Sequence, residues 1–179
     1  MVMHSCSPYT LFLPSSIVTI GAFDGVHLGH QALIRKVVER AKTFGIPAVV
    51  YTFDPPPRCY FQKVPMLTPP DEKLKRLKHL KVDYAILARF DEAYLSRSAE
   101  SFIEELQMLN PVEIWVGRDF RFGRNRAGGL DELSAVFNVK TIDPICCNCG
   151  ETISSTRIRS LIAAGRLEEA RELLGNMKD

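Results

Sequence analysis

The stretch IVTIGAFDGVHLGHQALI, residues 17–34, decides how this chain is read. Its opening, residues 17–22, is apolar and β-branched and predicts a buried strand. Its close begins an apolar stripe at helical spacing, Leu33, Ile34, Val37, Val38, Ala41 and Phe44. Between the two lie Gly21, Gly25 and Gly29, with Phe23, Asp24, His27 and His30 among them. A strand that breaks into a glycine-rich turn and then opens a helix makes an anion site. The first helical N–H groups lack intrahelical partners, and the helix dipole adds partial positive charge there. His27 and His30 are separated by about one helical turn, so both rings can face one ligand. A group carrying several negative charges, a triphosphate above all, suits such a place. Two histidines at this spacing can also begin a zinc site, with Cys146, Cys147 and Cys149 as distant partners. Cys146 and Cys149 stand at one CxxC spacing, but no second CxxC pairs with it to support that alternative.

Outward from this stretch the chain alternates strands and helices. Residues 46–53 predict a second buried strand, so the first strand, the helix and the second strand form a βαβ unit with a parallel sheet. Asp54-Pro55-Pro56-Pro57 stops that strand, because proline cannot donate to a ladder. Residues 58–70 read as a loop. Residues 71–80 read as a short amphipathic helix, with Leu74, Leu77 and Leu80 inward and its charge run on the surface. Further strands are expected at 82–88, 112–116 and 138–142, and helices at 98–109, capped by Ser98, and at 130–136. A loop through the cysteines leads to two last helices split by Gly165. The expected fold is α/β, a Rossmann-like doubly wound parallel five-stranded sheet with helices on both faces, and residues 1–179 form one domain. Ligands of such sheets bind beyond the carboxyl ends of the strands. The glycine turn and the loop after Gly117 both open there.

A chain of 179 residues can bury about two-thirds of its unfolded surface. Its 46% hydrophobic and 25% charged residues are those of a globular protein. A formal charge of +2 argues against general nucleic-acid binding. The five cysteines follow no disulfide framework, and no apolar run is long enough to span a membrane. The opening residues lack the pattern of a signal peptide, so a cytoplasmic protein is expected.

Two further stretches carry chemistry. ISSTRIR, residues 153–159, puts Ser154, Ser155 and Thr156 at a helix start, with Arg157 and Arg159 in its first turns. An N-cap alone explains one hydroxyl. Hydroxyls, free N–H groups and arginines together make a second anion cradle. VGRDFRFGRNRAGG, residues 116–129, interleaves arginines with Phe120 and Phe122 in a loop after a strand. That mixture suits a nucleic acid, whose bases stack on rings, and equally a flavin, a flat ring with a phosphate tail. One of the two phenylalanines can also be core.

GAFDGVHLGH resembles the HxGH signature of nucleotidylyltransferases, in the form found in bacterial FAD synthetases. TFDPPPR, VGRDFRFGRNRAG, ISSTRIR and the tail LEEARELLG resemble that family's other motifs, in the family's order, across residues 17–175. The resemblance implies an FMN adenylyltransferase module without the riboflavin kinase module into which family members continue. It implies ATP and FMN as substrates, FAD as product, and Mg2+ held largely by ATP oxygens and water. His27, His30, Ser155, Thr156 and Arg159 are then the residues for the ATP phosphates. Gly21, Phe23, Asp24, Gly25, Gly29, Ser154 and Arg157 complete the cradle, and no residue is assigned to a metal. Phe53, Asp54, Pro57 and Arg58 border the flavin. Gly117, Asp119, Phe120, Arg121 and Phe122 form the second loop, with Asp119 nearer the nucleotide. The chain departs from the family at Pro56, where a histidine is usual, and at Gly150-Glu151-Thr152, where an arginine is frequent. Each departure implies that one polar group is missing from the site or is supplied from elsewhere. The HxGH stretch alone also admits a nucleotidylyltransferase for another phosphorylated cofactor precursor. A flavin or nucleotide sensor without turnover is the rival from another class.

Overall fold

Strands form where apolar runs end at glycine, proline or a charged turn. The computed structural model describes residues 2–175. In chain order the strands are β1 (His4–Cys6), β2 (Ser16–Ile20), β3 (Ala48–Asp54), β4 (Tyr84–Arg89), β5 (Pro111–Gly117) and β6 (Val139–Ile142). They pair in the order β1-β4-β3-β2-β5-β6, and every pairing is parallel. The sheet therefore has six strands, not the expected five. The sixth is β1, a three-residue edge strand of mostly exposed residues alongside β4, too short and polar to show an apolar pattern. Residue 1 and residues 176–179 of the expected domain lie outside the described residues.

The helices are α1 (Leu28–Phe44), α2 (Pro57–Gln62), α3 (Pro70–His79), α4 (Glu92–Leu95), α5 (Ala99–Gln107), α6 (Leu130–Ser134), α7 (Ser155–Ala163) and α8 (Leu167–Leu174). Successive side chains of the strands point to opposite faces and fill two cores. Val18, Ile20, Val49, Tyr51 and Ile114 pack with Phe102, Leu106 and Leu133 of α5 and α6. Ile17, Ala48 and Val50 pack with Ile34, Val37 and Leu77 of α1 and α3. Helices thus cover both faces, as in a doubly wound sheet. No helix among the described residues is long and apolar enough to cross a membrane.

Three local expectations are corrected. Residues 58–70 are not all loop, because α2 starts at Pro57, where the fixed φ of proline suits the first helical position and its missing N–H is not needed. Phe44, placed on the inner stripe of α1, is exposed, with the Arg40 guanidinium over its ring. The charge run of α3 is not all surface: Lys73 is only 2% exposed. It lies on the inner stripe with Leu77 and Leu80, four and seven residues on.

The strand order reverses between β2 and β5. From β2 the chain steps through β3 to β4 on one side, and from β5 to β6 on the other. That is the switch point of a doubly wound sheet, the usual crevice for a ligand. The segments leaving β2 and β5 flank it.

Candidate active site

β2 ends on a tight turn in which Phe23, Gly25 and Val26 take positive φ, 45°, 86° and 41°. At Gly25 a side chain would also meet Leu67 and Leu174 at 3.0 Å. The turn delivers His27 as the N-cap of α1, its Nδ1 accepting the His30 N–H at 3.3 Å. The two imidazoles stack, with centroids 3.5 Å apart and planes 17° off parallel. Phe23 meets His30 edge-on at 5.3 Å. Gly29 has to be small: a Cβ there would sit 3.2 Å from the His27 ring and 3.4 Å from the Ile153 carbonyl oxygen.

Burial lowers the pKa of His27 to about 4 against the opposing pull of Asp24. Burial, then the neighbouring His27 and Lys73 charges, hold His30 well below the usual histidine range. Both rings are therefore neutral at pH 7 and act as N–H donors. With Nδ1 accepting, the proton of His27 sits on Nε2. His30 is half-buried as a residue, and its Nδ1 is sealed and has no hydrogen-bond partner among the described residues.

Much of the polar equipment around this turn is already engaged. The Asp24 carboxylate is buried and accepts from the Leu67 N–H at 2.9 Å, the Thr68 N–H at 3.4 Å and the Cys59 thiol at 3.7 Å. It also pairs with Arg159, which donates to the Pro65 carbonyl at 3.1 Å as well. The Gly25 N–H goes to Thr68 Oγ1 at 3.2 Å. Asp24 and Arg159 thus staple the turn to α7 and to the segment before α3. Ser155 Oγ donates to the Asp24 carbonyl at 2.8 Å, and Ser154 caps α7 by accepting from the Arg157 N–H at 3.2 Å. The Ser155 and Thr156 N–H groups open α7 without intrahelical partners. Thr156 Oγ1 accepts from Arg58. Arg157 instead turns to Cys147, Cys149 and Glu151. The histidines and the cysteines do not converge. Among the described residues no three His, Cys, Asp or Glu side chains gather as a metal-holding group.

Beside the turn lies a cleft of about 810 Å³. Of the residues singled out in the sequence, Gly21, Phe53, Pro57, Arg58, Asp119, Phe120, Arg121 and Phe122 line it. Asp54 and Gly117 do not; their carbonyls accept the Phe90 and Phe120 N–H groups and shape its rim. Pro56 is buried at the start of α2, so the position where the family has a histidine packs inward. Phe122 is 8% exposed, tilted on Phe102 at 5.2 Å and stacked with Phe120 at 5.6 Å. It belongs chiefly to the core and shows the cleft an edge.

Sequence reasoning missed Phe61, Phe90 and Tyr94, which form an aromatic wall with Phe53 at 5.6–5.8 Å centroid spacings. Phe61 is 62% exposed and stands at the cleft because α2 exists. Lys73 was also missed. Its Nζ donates to the Ala22 carbonyl at 3.0 Å, the Phe53 carbonyl at 2.9 Å and Thr52 Oγ1 at 3.4 Å. One side chain thereby ties the carboxyl ends of β2 and β3, and burial lowers its pKa to about 8. The helical stripe it shares with Leu77 and Leu80 was the available signal.

A model of the FAD synthetase family matches residues 11–157. A putative bifunctional riboflavin kinase/FMN adenylyltransferase of Geobacillus thermodenitrificans is 53% identical over 165 residues, 92% of this chain and 92% of that protein. A bifunctional riboflavin kinase/FMN adenylyltransferase of Listeria monocytogenes is 34% identical over 170 residues. That match covers 90% of this chain but 54% of the Listeria protein, so the chain spans about half its length. Among solved structures, one described as a macrolide-efflux protein from Streptococcus pneumoniae is 30% identical with a TM-score of 0.83. It covers 97% of this chain and 71% of its own.

Proposed function

The chain belongs to the FAD synthetase family, and from that premise we propose that it transfers the adenylyl group of ATP to FMN, giving FAD and pyrophosphate. One observation carries this most directly. The aromatic cleft of about 810 Å³ opens from the same glycine turn that presents His27 and His30. A flat ring with a phosphate tail and a triphosphate would then meet at one edge of the sheet.

An FMN phosphate oxygen attacks the α-phosphorus of ATP in line. The bond to the β-phosphate bridging oxygen breaks, and pyrophosphate leaves with that electron pair. No covalent enzyme intermediate is needed, so the chain acts by positioning and by stabilising charge. His27 and His30 donate to the ATP phosphates as neutral imidazoles. The approaching anion raises their pKa values, so positive character grows on the rings as charge builds on the phosphates. The free N–H groups of Ser155 and Thr156 at the start of α7 add a second anion contact. Phe53, Phe61 and Phe120 border the flavin ring. Arg58, Arg121 and Arg126 face the same cleft and supply positive charge for the FMN phosphate. Asp24 and Arg159 hold the turn and α7 in register and leave the phosphates to others.

Mg2+ is expected with ATP, but the described residues offer it no protein cage, and the Asp24 carboxylate is already engaged. Residues 1–179 act as one nucleotidylyltransferase domain. Its five free thiols and small-molecule substrates suit the cytoplasm.

The test is direct. Purified protein is incubated with ATP, Mg2+ and FMN, and FAD is sought by chromatography, with nicotinamide mononucleotide and phosphopantetheine in parallel. FAD formed from FMN supports the proposal. Binding of FMN without turnover, or adenylylation of one of the other acceptors alone, overturns it.

A further inference from the structure

The cysteines between β6 and α7 lie in a small hairpin. The Ile153 N–H donates to the Ile145 carbonyl at 2.8 Å, the Cys147 N–H to Glu151 at 2.9 Å, and the Gly150 N–H back to Cys147 at 2.9 Å. Cys147 and Gly150 thus bracket a turn, with Gly150 at φ 80° and Cys149 beside it. The turn leaves both thiols within reach of one guanidinium. One guanidinium spans both: Arg157 donates to Cys147 Sγ at 3.1 Å and to Cys149 Sγ at 3.5 Å, while pairing with the Glu151 carboxylate at 2.7 Å. Cys146, exposed on the same hairpin, has no such contact with the arginine among the described residues.

We propose that Cys147 and Cys149 are a reversible dithiol–disulfide site, with Cys147 the attacking thiolate and Cys149 the resolving thiol, oxidised by a low-molecular-weight disulfide. The hydrogen bonds from Cys149 and Arg157 lower the Cys147 thiol to about 6, so it is mostly thiolate at pH 7. Cys147 attacks one sulfur of the reagent, forming a mixed disulfide and expelling one thiolate, which takes a proton from water. Cys149 then loses its proton and attacks the Cys147 sulfur, and the second reagent half leaves as thiol. Two electrons pass from the protein to the reagent, whose S–S bond is replaced by the Cys147–Cys149 bond. Oxidation removes the thiolate from Arg157. Arg157 sits in the first turn of α7, the helix stapled to the glycine turn, so thiol state bears on that helix start.

Cys146 supplies the internal control. The reduced protein is treated at pH 7 with iodoacetamide, and each cysteine is followed by peptide mass spectrometry. Cys147 should be alkylated about three- to tenfold faster than Cys146, since its larger thiolate fraction outweighs its lower basicity. Arg157→Gln should abolish that lead, with the fold checked by circular dichroism. Excess glutathione disulfide should yield a Cys147–Cys149 disulfide in the wild type. In Cys149→Ser a persistent glutathione adduct on Cys147 should accumulate instead. Equal or faster alkylation of Cys146, any disulfide that includes Cys146, or no internal disulfide would overturn the proposal.

Discussion

Lys73→Met asks whether a buried cation ties β2 to β3. In the folded chain Lys73 titrates near 8, against 10.5 for a free lysine. Between those values the unfolded chain holds a proton that the folded chain has released. Stability should therefore rise with pH across that window, by about 2.5 kcal/mol between pH 7 and pH 10 from this one group. At pH 7 the variant is relieved of a buried charge. It also leaves the Phe53 carbonyl without its donor, at a cost of about 1–3 kcal/mol. The two effects oppose at pH 7, and the difference in slope is read independently of their sum. Burial raises the pKa of Tyr51 and Tyr94, which acts in the opposite direction above pH 10, so the series stops there. Both tyrosines are common to the two proteins, and the wild-type minus variant difference isolates Lys73. Urea unfolding at pH 7, 8, 9 and 10 and constant ionic strength measures it. Parallel curves for the two proteins would refute the buried charge and the clamp built on it.

His30→Ala should fold, because the residue is only half-buried, yet lose a hundredfold or more in FAD synthesis, equivalent to about 3–4 kcal/mol of charge stabilisation; near-native turnover in a folded variant would remove His30 from the phosphate site. Phe61→Ala should weaken FMN binding several-fold with stability unchanged, whereas Phe122→Ala should destabilise the fold by about 3–5 kcal/mol. Calorimetry with FMN and thermal melts of both variants separate cleft from core. His27 titrates near 4 when folded and 6.5 when free, so the unfolded chain binds the extra proton in that window. Stability should fall by about 2.5 kcal/mol from this group as pH drops from 6.5 to 4, and His27→Ala should flatten that part of the curve in pH-dependent urea unfolding.

The sequence by itself determined the strand–turn–helix at residues 17–34, the alternation of strands and helices, and the family to which the motifs point. These are local properties. Apolar spacing reports which face is buried, and glycine reports where the backbone must turn. The histidine pair was legible for the same reason, because three residues of a helix start place two rings together whatever else the chain does. Only the tertiary structure decided how the other groups were shared out. Asp24 and Arg159, 135 residues apart, engage each other. Arg157 goes to two thiols, and Phe122 goes to the core while Phe61 takes the cleft. Lys73 looked like one charge in a solvated run until the carbonyls of Ala22 and Phe53 met it from two different strand ends. A polar side chain's partner is fixed by which atoms lie within about 3 Å of it. That is set by the packing of elements distant in sequence, and residue spacing along the chain carries no record of it.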